Sequence, residues 1–383
     1  MRILIDFTPI PIDRTGVGVY AENLIREIAL ILHPDDLLFV LVQDDEKVIP
    51  QIVQNVANTR IVAIASRLFR NRAALMIYEQ CILPWILLTK RIDVIHSLHY
   101  MHPIVSPAAR VVTVHDLTHS LWPQLHTRSR RLLMPLFAKR AVKFAEAVIF
   151  DSASTLSDAE RLWSTGNNLR RVVPLGVAPE AFSALPEKAI QETRQRLNIQ
   201  QPYILFMGTI EPRKNLIRLI NAFEEIGNIH QDYLLVIAGK LGWDYESVLK
   251  ALASSPLRER ICHLGYVPEA DKRALIGGCK VLAYPSLYEG FGLPVLEGMA
   301  AGVPVVTSNV SSIPEVAGNA AVMVDPNSVD QIASAINQVL TDPSLAARLG
   351  AAGYQRAREF SWGRTAHNTY ELYHAVFRAT KQV

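Results

Sequence analysis

The sequence is poor in cysteine, in long apolar runs and in unbalanced charge. It has three cysteines among 383 residues, Cys81, Cys262 and Cys279, and no Cys-x-x-Cys pair. This scarcity argues against a disulfide-stapled fold and a cysteine zinc site, and it is typical of a reducing compartment. No apolar run reaches the roughly 18 residues that a membrane-spanning helix needs. Because a strand-like segment begins at Arg2, we expect no signal peptide and a cytoplasmic location.

The small net charge of +3 gives no reason to expect a nucleic-acid partner. Its distribution is uneven, because the segment between Asp116 and Glu146 contains no acid. Large apolar residues alternate there with basic ones, so the segment is either a solvated helix face or a surface for an anionic acceptor or anionic inner-membrane lipids. Its six basic residues are Arg128, Arg130, Arg131, Lys139, Arg140 and Lys143.

Short apolar runs alternate with helical patterns twice along the chain, with a break at residues 177–189. This alternation predicts an α/β protein with parallel sheets. We therefore expect two doubly wound, Rossmann-like domains that face a central cleft. The predicted boundaries are residues 1–180 for the first domain, 181–360 for the second, and 361–383 for a helix that packs back on the first.

Ligands of such sheets bind at the carboxyl ends of the strands. One of these ends in the second half reads GTIEPRKN, where Arg213 and Lys214 directly precede a predicted helix. Two adjacent cations beside helix N–H groups suit a diphosphate, although a basic pair on a surface is also common.

A glycine turn, RTGVGVY, follows the first predicted strand. Gly16 and Gly18 would let backbone N–H groups approach an anion at the start of a helix. The dinucleotide fingerprint needs a third glycine, and Ala21 stands in that place, which argues against a redox Rossmann site.

The segment YEGFGLPVLEG contains two carboxylates, Glu289 and Glu297. Pro294 suits the first turn of a helix, so Gly290 and Gly292 would present free N–H groups just before it. Glu297 would lie about one turn in, where it can accept hydrogen bonds from a ribose diol. Glu289 would lie on the loop, near the reacting sugar. For Glu297 alone, a helix-start charge favoured by the dipole is the plainer interpretation.

The segment VHDLTH ends another strand. We expect His115 to lie near the reacting sugar and Asp116 to orient the loop or to face the acceptor. Other histidines, at His96, His99 and His102, lie on strand ends and loops where no helical face aligns them. We therefore expect no metal site and no cofactor beyond a nucleotide substrate.

Together these motifs resemble the GT-B retaining glycosyltransferases of family four. The glutamate, seven residues, glutamate signature of that family matches Glu289 and Glu297, and GTIEPRKN resembles its pyrophosphate-binding segment. VHDLTH resembles the segment whose histidine contacts the transferred sugar. The resemblance extends from Met1 to about residue 375. It implies transfer from a nucleotide sugar with retained anomeric configuration and no essential metal.

The resemblance also implies an acceptor-binding first domain and a donor-binding second domain. GDP-mannose or GDP-rhamnose is the favoured donor, and a lipid-linked bacterial surface glycan the favoured acceptor. The catalytic residues would be His115, Arg213, Lys214 and Glu289. Many relatives carry an arginine just after the position of Gly208, where this chain has Thr209 and Ile210. The charge of the diphosphate would therefore be balanced by Arg213 and Lys214 alone. Further donor contacts are expected at Gly208, Thr209, Tyr266, Val267, Ser286, Gly290, Phe291, Gly292 and Leu293.

Three other functions fit the same motifs. A nucleotide-sugar 2-epimerase shares the two-domain fold but does not need the basic, apolar segment. A UDP-sugar-dependent transferase differs only in the base, and a non-catalytic binder would leave the donor intact. The oligomeric state is not predicted by the sequence.

Overall fold

The computed structural model describes residues 1–10, 14, 16–66, 72–126, 128–163, 166 and 168–381, without the side chains of 72, 73, 125 and 128–130. The chain divides into two compact units. Unit 1 comprises Met1–Gly176 and Trp362–Val383, and unit 2 comprises Val177–Ser361.

Within its described residues, unit 1 contains a seven-stranded sheet in the order β3-β2-β1-β4-β5-β6-β7. All neighbouring strands are parallel. The interior strand β1 buries Ile3, Leu4 and Ile5 completely, because helices cover both faces of such a sheet. The strands are β1 Arg2–Asp6, β2 Leu37–Gln43, β3 Thr59–Ile64, β4 Val94–Ser97, β5 Ala109–Val114, β6 Ala147–Phe150 and β7 Leu169–Val172.

The helices of unit 1 follow these strands as crossovers. The first one buries an apolar face that repeats every three to four residues, including Leu24, Ile25 and Ile28. The described helices are α1 Gly16–Ile31, α2 Val48–Val53, α3 Arg72–Ile77, α4 Leu83–Thr89, α5 Thr118–Leu121, α6 Arg128–Phe144, α7 Ala153–Leu162 and the C-terminal α16 Trp362–Lys381. None of the helices in the described part of the chain is long and apolar enough to cross a membrane.

Unit 2, as far as the structure describes it, is built on a six-stranded sheet in the order β10-β9-β8-β11-β12-β13. Its neighbouring strands are also parallel. Its strands are β8 Tyr203–Met207, β9 Leu234–Ala238, β10 Ile261–Gly265, β11 Val281–Tyr284, β12 Val305–Ser308 and β13 Val322–Val324. Its helices are α8 Glu187–Arg196, α9 Leu216–Ile226, α10 Glu246–Ser254, α11 Glu269–Gly278, α12 Leu293–Ala300, α13 Ile313–Ala317, α14 Val329–Thr341 and α15 Pro343–Ala357.

The parallel α/β architecture predicted from the sequence is confirmed in both units. The sequence pattern missed one strand, β7, at an edge of the first sheet. Its sequence LRRV places two arginines between two apolar residues, and Leu169 is exposed. Pairing with β6 defines this strand, because the residues themselves have no clear strand pattern.

A buried polar network fixes α16 on unit 1. The Tyr373 hydroxyl lies 2.5 Å from Nδ1 of His96, whose Nε2 lies 2.8 Å from the Thr113 hydroxyl. Tyr20 of α1 lies 2.9 Å from the same Thr113 oxygen. Burial lowers the pKa of His96 to about 3, so its ring is neutral and serves as a hydrogen-bonding bridge.

Two buried carboxyls of unit 1, Asp6 at the end of β1 and Glu79, interact electrostatically. Asp6 accepts hydrogen bonds from the N–H and hydroxyl of Thr8, and burial raises its pKa to about 6. Glu79 lies in a π-helical turn, Tyr78–Ile82, between α3 and α4, and its Oε2 has no hydrogen-bond partner among the described residues. Burial and the charge of Asp6 raise the pKa of Glu79 to about 8, so Glu79 is protonated at neutral pH.

Replacement of this acid should therefore change how stability depends on pH. Because the pKa of Glu79 is higher in the folded state than the ordinary 4.5, wild-type stability is lost as pH rises from that value through about 8. Glu79→Gln removes this titration. The free energy of unfolding of this variant, measured with urea, should rise relative to that of the wild type by up to about 1.4 kcal/mol per pH unit between pH 5 and 8. The exposed Asp45→Asn variant is the control, and an equal difference at every pH would contradict the assignment.

Candidate functional site

Two neighbouring strands in unit 2 bring together two loops that contain predicted site residues. Strands β8 and β11 pair in parallel, so residues 208–215 and residues 285–292 follow the same edge of the sheet. Asn215 adopts the left-handed conformation with φ of 64°, which asparagine tolerates well. Its side-chain amide donates to the carbonyls of Pro285 (2.9 Å) and Pro326 (2.6 Å). The first loop is thereby fixed against the second.

Glu289 is the centre of this arrangement. Its side chain is almost fully buried, and its Oε1 lies within hydrogen-bond distance of three donors. These are Lys214 Nζ at 2.7 Å, the Tyr284 hydroxyl at 2.9 Å and the Ser286 hydroxyl at 2.6 Å. The other oxygen, Oε2, accepts a hydrogen bond from Arg213 at 2.8 Å. The two predicted cations and the predicted sugar-contacting carboxylate thus form one cluster.

The charges of the cluster nearly balance. Burial disfavours the ionised form of Glu289, but Arg213 and Lys214 outweigh this effect and lower its pKa to about 2. Arg213 also pairs with Glu211 at 2.6 Å. Burial and the neighbouring charge of Arg213 lower the pKa of Lys214. Two carboxylates therefore offset two cations, and a bound anion would compete with Glu289 and Glu211 for them.

Two members of the cluster were missed by the sequence reasoning. Tyr284 is the last residue of β11, and its hydroxyl lies 2.5 Å from Lys214 Nζ. Glu211 belongs to the GTIEPRKN segment itself. Their positions in the sequence could have indicated them, since both residues lie at strand ends that carry the predicted site.

A serine pair holds the loop that carries Glu289. The Glu289 N–H donates to the Ser311 hydroxyl at 2.9 Å. The Ser312 hydroxyl lies 2.9 Å from the carbonyls of both Glu289 and Phe291 and can donate to either. Phe291 is itself buried against Phe360. This segment fixes the direction of the Glu289 side chain, and the sequence reasoning named neither serine.

The second glutamate lies on α12, which begins as predicted with Pro294 in its first turn. Gly292 precedes it with φ of 111°, a conformation that favours glycine. A Cβ on Gly292 would also lie 2.6 Å from Ile313 Cδ1. Burial raises the pKa of Glu297, and Lys272 of α11, 2.5 Å from Glu297 Oε1, opposes that effect. The sequence reasoning did not identify Lys272.

The remaining predicted donor contacts lie at the carboxyl edge of the same sheet. Gly208 follows β8, and a Cβ on the neighbouring Gly239 would lie 1.8 Å from the Gly208 carbonyl oxygen, so the two loops approach closely. Tyr266 follows β10 and is 60% exposed. Thr209 and Val267, which follow β8 and β10, are half-buried. Gly290 lies in the loop directly after Glu289, and Leu293 is the first residue of α12.

The two predicted glycines of unit 1, Gly16 and Gly18, lie in the first turn of α1. Gly16 is exposed, and no described atom lies within 4 Å of where its Cβ would be. Gly18 is buried, and a Cβ there would meet Arg14 Cδ at 3.1 Å. Gly16 therefore lies at an open helix start, whereas Gly18 lies in close contact with the Arg14 side chain. Thr15 of the same motif lies outside the described residues.

His115 lies at the end of β5 with both ring nitrogens engaged. Nδ1 is 2.7 Å from Asp151 Oδ2, and Nε2 donates to the Leu98 carbonyl at 2.9 Å. Burial favours the neutral ring, but the Asp151 carboxylate prevails and raises the pKa of His115. The His115 ring packs edge-to-face with Tyr20. Contact with a sugar through Nε2 would require exchange of the Leu98 partner.

Asp116 accepts hydrogen bonds from the N–H and hydroxyl of Thr118 at the start of α5. Two of the other histidines have separate partners: His96 in the network described above, and His102 at the Tyr100 carbonyl. Within the described ranges, no group of three or more His, Cys, Asp or Glu side chains is arranged to hold a metal ion.

Comparison with known proteins gives matches along both units. The model of "Glycosyltransferase Family 4" matches residues 14–181, and that of "Glycosyl transferases group 1" matches residues 189–356. The O-antigen chain mannosyltransferase B of Escherichia coli is 31% identical over 381 residues, which cover 97% of this chain and 99% of that protein. The serotype-specific mannosyltransferase WbdA of the same species is 33% identical over 208 residues, covering 53% of this chain but 26% of its own length.

Among solved structures, sucrose-phosphate synthase from Thermosynechococcus elongatus aligns with a TM-score of 0.77 and 20% identity, over 99% of both chains. At this identity the likeness shows the fold alone, and it confirms the predicted pair of Rossmann-like, parallel-sheet domains. The family models and the similarity to O-antigen chain mannosyltransferase B together show that this chain belongs to the nucleotide-sugar-dependent glycosyltransferases of family 4.

Proposed function

We propose that this chain is a retaining mannosyltransferase that takes mannose from GDP-mannose and adds it to a growing, lipid-linked bacterial surface glycan. The observation that carries the proposal is the buried cluster of Glu289, Lys214 and Arg213 at the carboxyl ends of β8 and β11. The choice of mannose and of a surface glycan is supported by the similarity to O-antigen chain mannosyltransferase B.

Arg213 and Lys214 stabilise the leaving diphosphate in this proposal. The glycosidic bond to the phosphate oxygen breaks, and negative charge grows on the diphosphate. The guanidinium and ammonium groups are fixed beforehand by Glu289 and Glu211, so little reorganisation is needed when that charge develops. A preorganised contact of this kind is worth roughly 3 kcal/mol in a transition state.

Glu289 positions the sugar rather than attacking it. Its Oε1 faces three donors and its Oε2 faces Arg213, so both oxygens are poor nucleophiles. With a pKa of about 2 it stays ionised at neutral pH, where it can accept hydrogen bonds from sugar hydroxyls but cannot donate a proton. The acceptor oxygen then bonds to the anomeric carbon from the face of the leaving group, and its proton passes to the leaving phosphate oxygen.

Glu297 binds the nucleoside. A carboxylate can accept one hydrogen bond from each hydroxyl of a ribose diol, and the ribose is common to the donor and to the nucleotide product. In this proposal Glu297 acts in binding of the nucleotide, and Glu289 acts in transfer of the sugar.

A nucleotide panel tests the proposal directly. Thermal shift with GDP, UDP, ADP and dTDP should show the largest stabilisation by GDP, since a ligand that binds only the folded state raises its stability. GDP-mannose should then be consumed only with a glycan acceptor. Isomerisation of the donor without an acceptor would indicate an epimerase. A donor that stays intact with every acceptor would indicate a binding protein. Stronger stabilisation by UDP than by GDP would indicate a UDP-sugar-dependent enzyme.

Glu289→Gln should separate binding from transfer. The amide keeps the shape of the side chain but removes the charge that offsets Arg213 and Lys214. We therefore expect GDP to bind at least as tightly as in the wild type in calorimetry. Mannose transfer should fall by about 100-fold or more, because the sugar hydroxyls lose their charged acceptor.

The exposed Glu225→Gln variant, on α9 of the same unit, is the matched control for this experiment. Wild-type turnover in Glu289→Gln would remove the positioning role. A large loss of GDP affinity would assign Glu289 to the nucleotide instead.

A peripheral membrane contact forms a second part of the proposal. Helix α6 exposes Leu132 (71%), Leu136 (64%) and Phe144 (56%) beside the exposed Arg131 and Lys139. Exposed apolar residues with interspersed cations suit a surface of anionic lipids, where the acceptor of such an enzyme would be anchored. The side chains of Arg128 and Arg130 lie outside the described residues.

Co-sedimentation with vesicles tests this contact. At low salt the wild type should bind vesicles of phosphatidylglycerol more strongly than vesicles of phosphatidylcholine. The double variant Arg131→Ser/Lys139→Ser should lose about 1 kcal/mol of binding free energy per cation and become less sensitive to salt. Transfer to a short acceptor analogue without a lipid should be unchanged.

The matched control is Lys188→Ser/Lys250→Ser, which removes two exposed cations from unit 2. Absence of wild-type binding to anionic vesicles at low salt would show that α6 is only a solvated face.

A further inference from the structure

Lys272 brings a partly buried cation to the second glutamate of the site. It lies on α11, its side chain is 18% exposed, and its Nζ is 2.5 Å from Glu297 Oε1. A second carboxylate, Glu269 on the same helix, lies 3.4 Å from the Nζ, but that side chain is 72% exposed. The contact with Glu297 is therefore the one that is shielded from water.

The helix that carries Lys272 is itself fixed. Arg196 of α8 makes a two-point contact with Asp271, at 2.5 Å and 2.8 Å to the two carboxylate oxygens. Asp271 directly precedes Lys272. The face of α11 that holds Asp271 packs on α8, and Lys272 extends to Glu297 of α12. Lys272 thus approaches Glu297 from a position that α8 and α11 determine together.

Only one oxygen of Glu297 is occupied by this contact. Lys272 is bonded to Oε1, and no described side chain is paired with Oε2. A carboxylate held at one oxygen by a charged donor has a defined plane, so the direction of its second oxygen is also defined.

We propose that Lys272 is a positioning residue for nucleotide binding: it fixes the Glu297 carboxylate through Oε1 and supplies its countercharge, so that Glu297 accepts hydrogen bonds from the ribose diol. The inference rests on the proposed function, in which Glu297 binds the ribose. Lys272 itself does not touch the nucleotide; it acts through Glu297.

The surroundings of Glu297 leave Lys272 as its one cationic partner among the described residues. On α11, Glu269 opposes ionisation of Glu297 by its own negative charge. On α15, Arg356 is bonded to the carbonyls of Glu315 and Val316, and it pairs with Glu359. Arg348 of α15 is exposed to solvent.

The sign of the pH dependence follows from this environment. Burial raises the pKa of Glu297, and Lys272 works against that rise. Without Lys272 the pKa of Glu297 rises further, so a larger fraction of the carboxyl is protonated as pH falls. A protonated carboxyl accepts fewer hydrogen bonds from a diol, so the loss of affinity should be greatest at low pH.

Calorimetry with GDP at pH 6 and pH 8 tests the proposal. Lys272→Met should lose more GDP affinity at pH 6 than at pH 8, relative to the wild type, because the fraction of protonated Glu297 grows as pH falls. Lys272→Arg should restore most of the affinity, because a guanidinium can replace the ammonium. Lys280→Met, which removes an exposed lysine just after the same helix, should behave like the wild type at both pH values.

A nucleotide without the ribose hydroxyls provides the second readout. The affinity for 2′,3′-dideoxy-GDP should be the same in the wild type and in Lys272→Met, because no diol remains for Glu297 to bind. An equal loss for GDP and dideoxy-GDP, or a loss that does not depend on pH, would overturn the proposal and indicate that Lys272 contacts the phosphates or only supports the fold.

Failure of the underlying assignment is distinguishable from failure of this inference. Glu297→Gln should weaken GDP binding and remove the preference for GDP over dideoxy-GDP. If Glu297→Gln retains that preference, the ribose role of Glu297 is wrong. If Glu297→Gln loses it but Lys272→Met behaves like the wild type, only the role of Lys272 is wrong.

Discussion

The buried carboxylate of Glu289 is the constraint on which the site depends. An isolated ionised carboxylate is costly to bury, so its position must be compensated by charges and donors in fixed places. Lys214 and Arg213 supply the charges, and Tyr284 and Ser286 supply further hydrogen bonds. The same contacts hold the two cations where a diphosphate would need them. In the proposed function, one interaction therefore orders both the part of the site that would meet the sugar and the part that would meet the leaving group.

The backbone of unit 2 is shaped to make this burial possible. Asn215 in the left-handed conformation ends the cationic turn, and its amide ties that turn to the loop of Glu289. Ser311 and Ser312 hold the other side of the loop. Unit 1 uses a comparable device, since the neutral His96 joins Tyr373 of α16 to the sheet through Thr113. In both units, the buried polar groups of these networks bond to partners that are distant in sequence.

Much of the fold and part of the site could be predicted from single residues and their spacing. The predicted buried strands of both units, the helix after β1 and Pro294 in the first turn of α12 were confirmed. The edge strand β7 could not be predicted, because pairing with β6 compensates for its two arginines. The π-helical turn at Glu79 was also beyond the sequence, because local preference does not distinguish it from an ordinary helical turn.

The sequence by itself determined the parallel α/β architecture, the strand ends that carry chemistry, and the residue types of the site. These depend on local periodicity and on the rule that ligands bind at the carboxyl ends of parallel strands. Only the tertiary structure decided the partners: Glu289 with Lys214 and Arg213, Glu297 with Lys272, and His115 with Asp151 and Leu98. The members of these pairs lie 17 to 76 residues apart in the chain, and only the order of the strands and the packing of the helices bring them within hydrogen-bond distance.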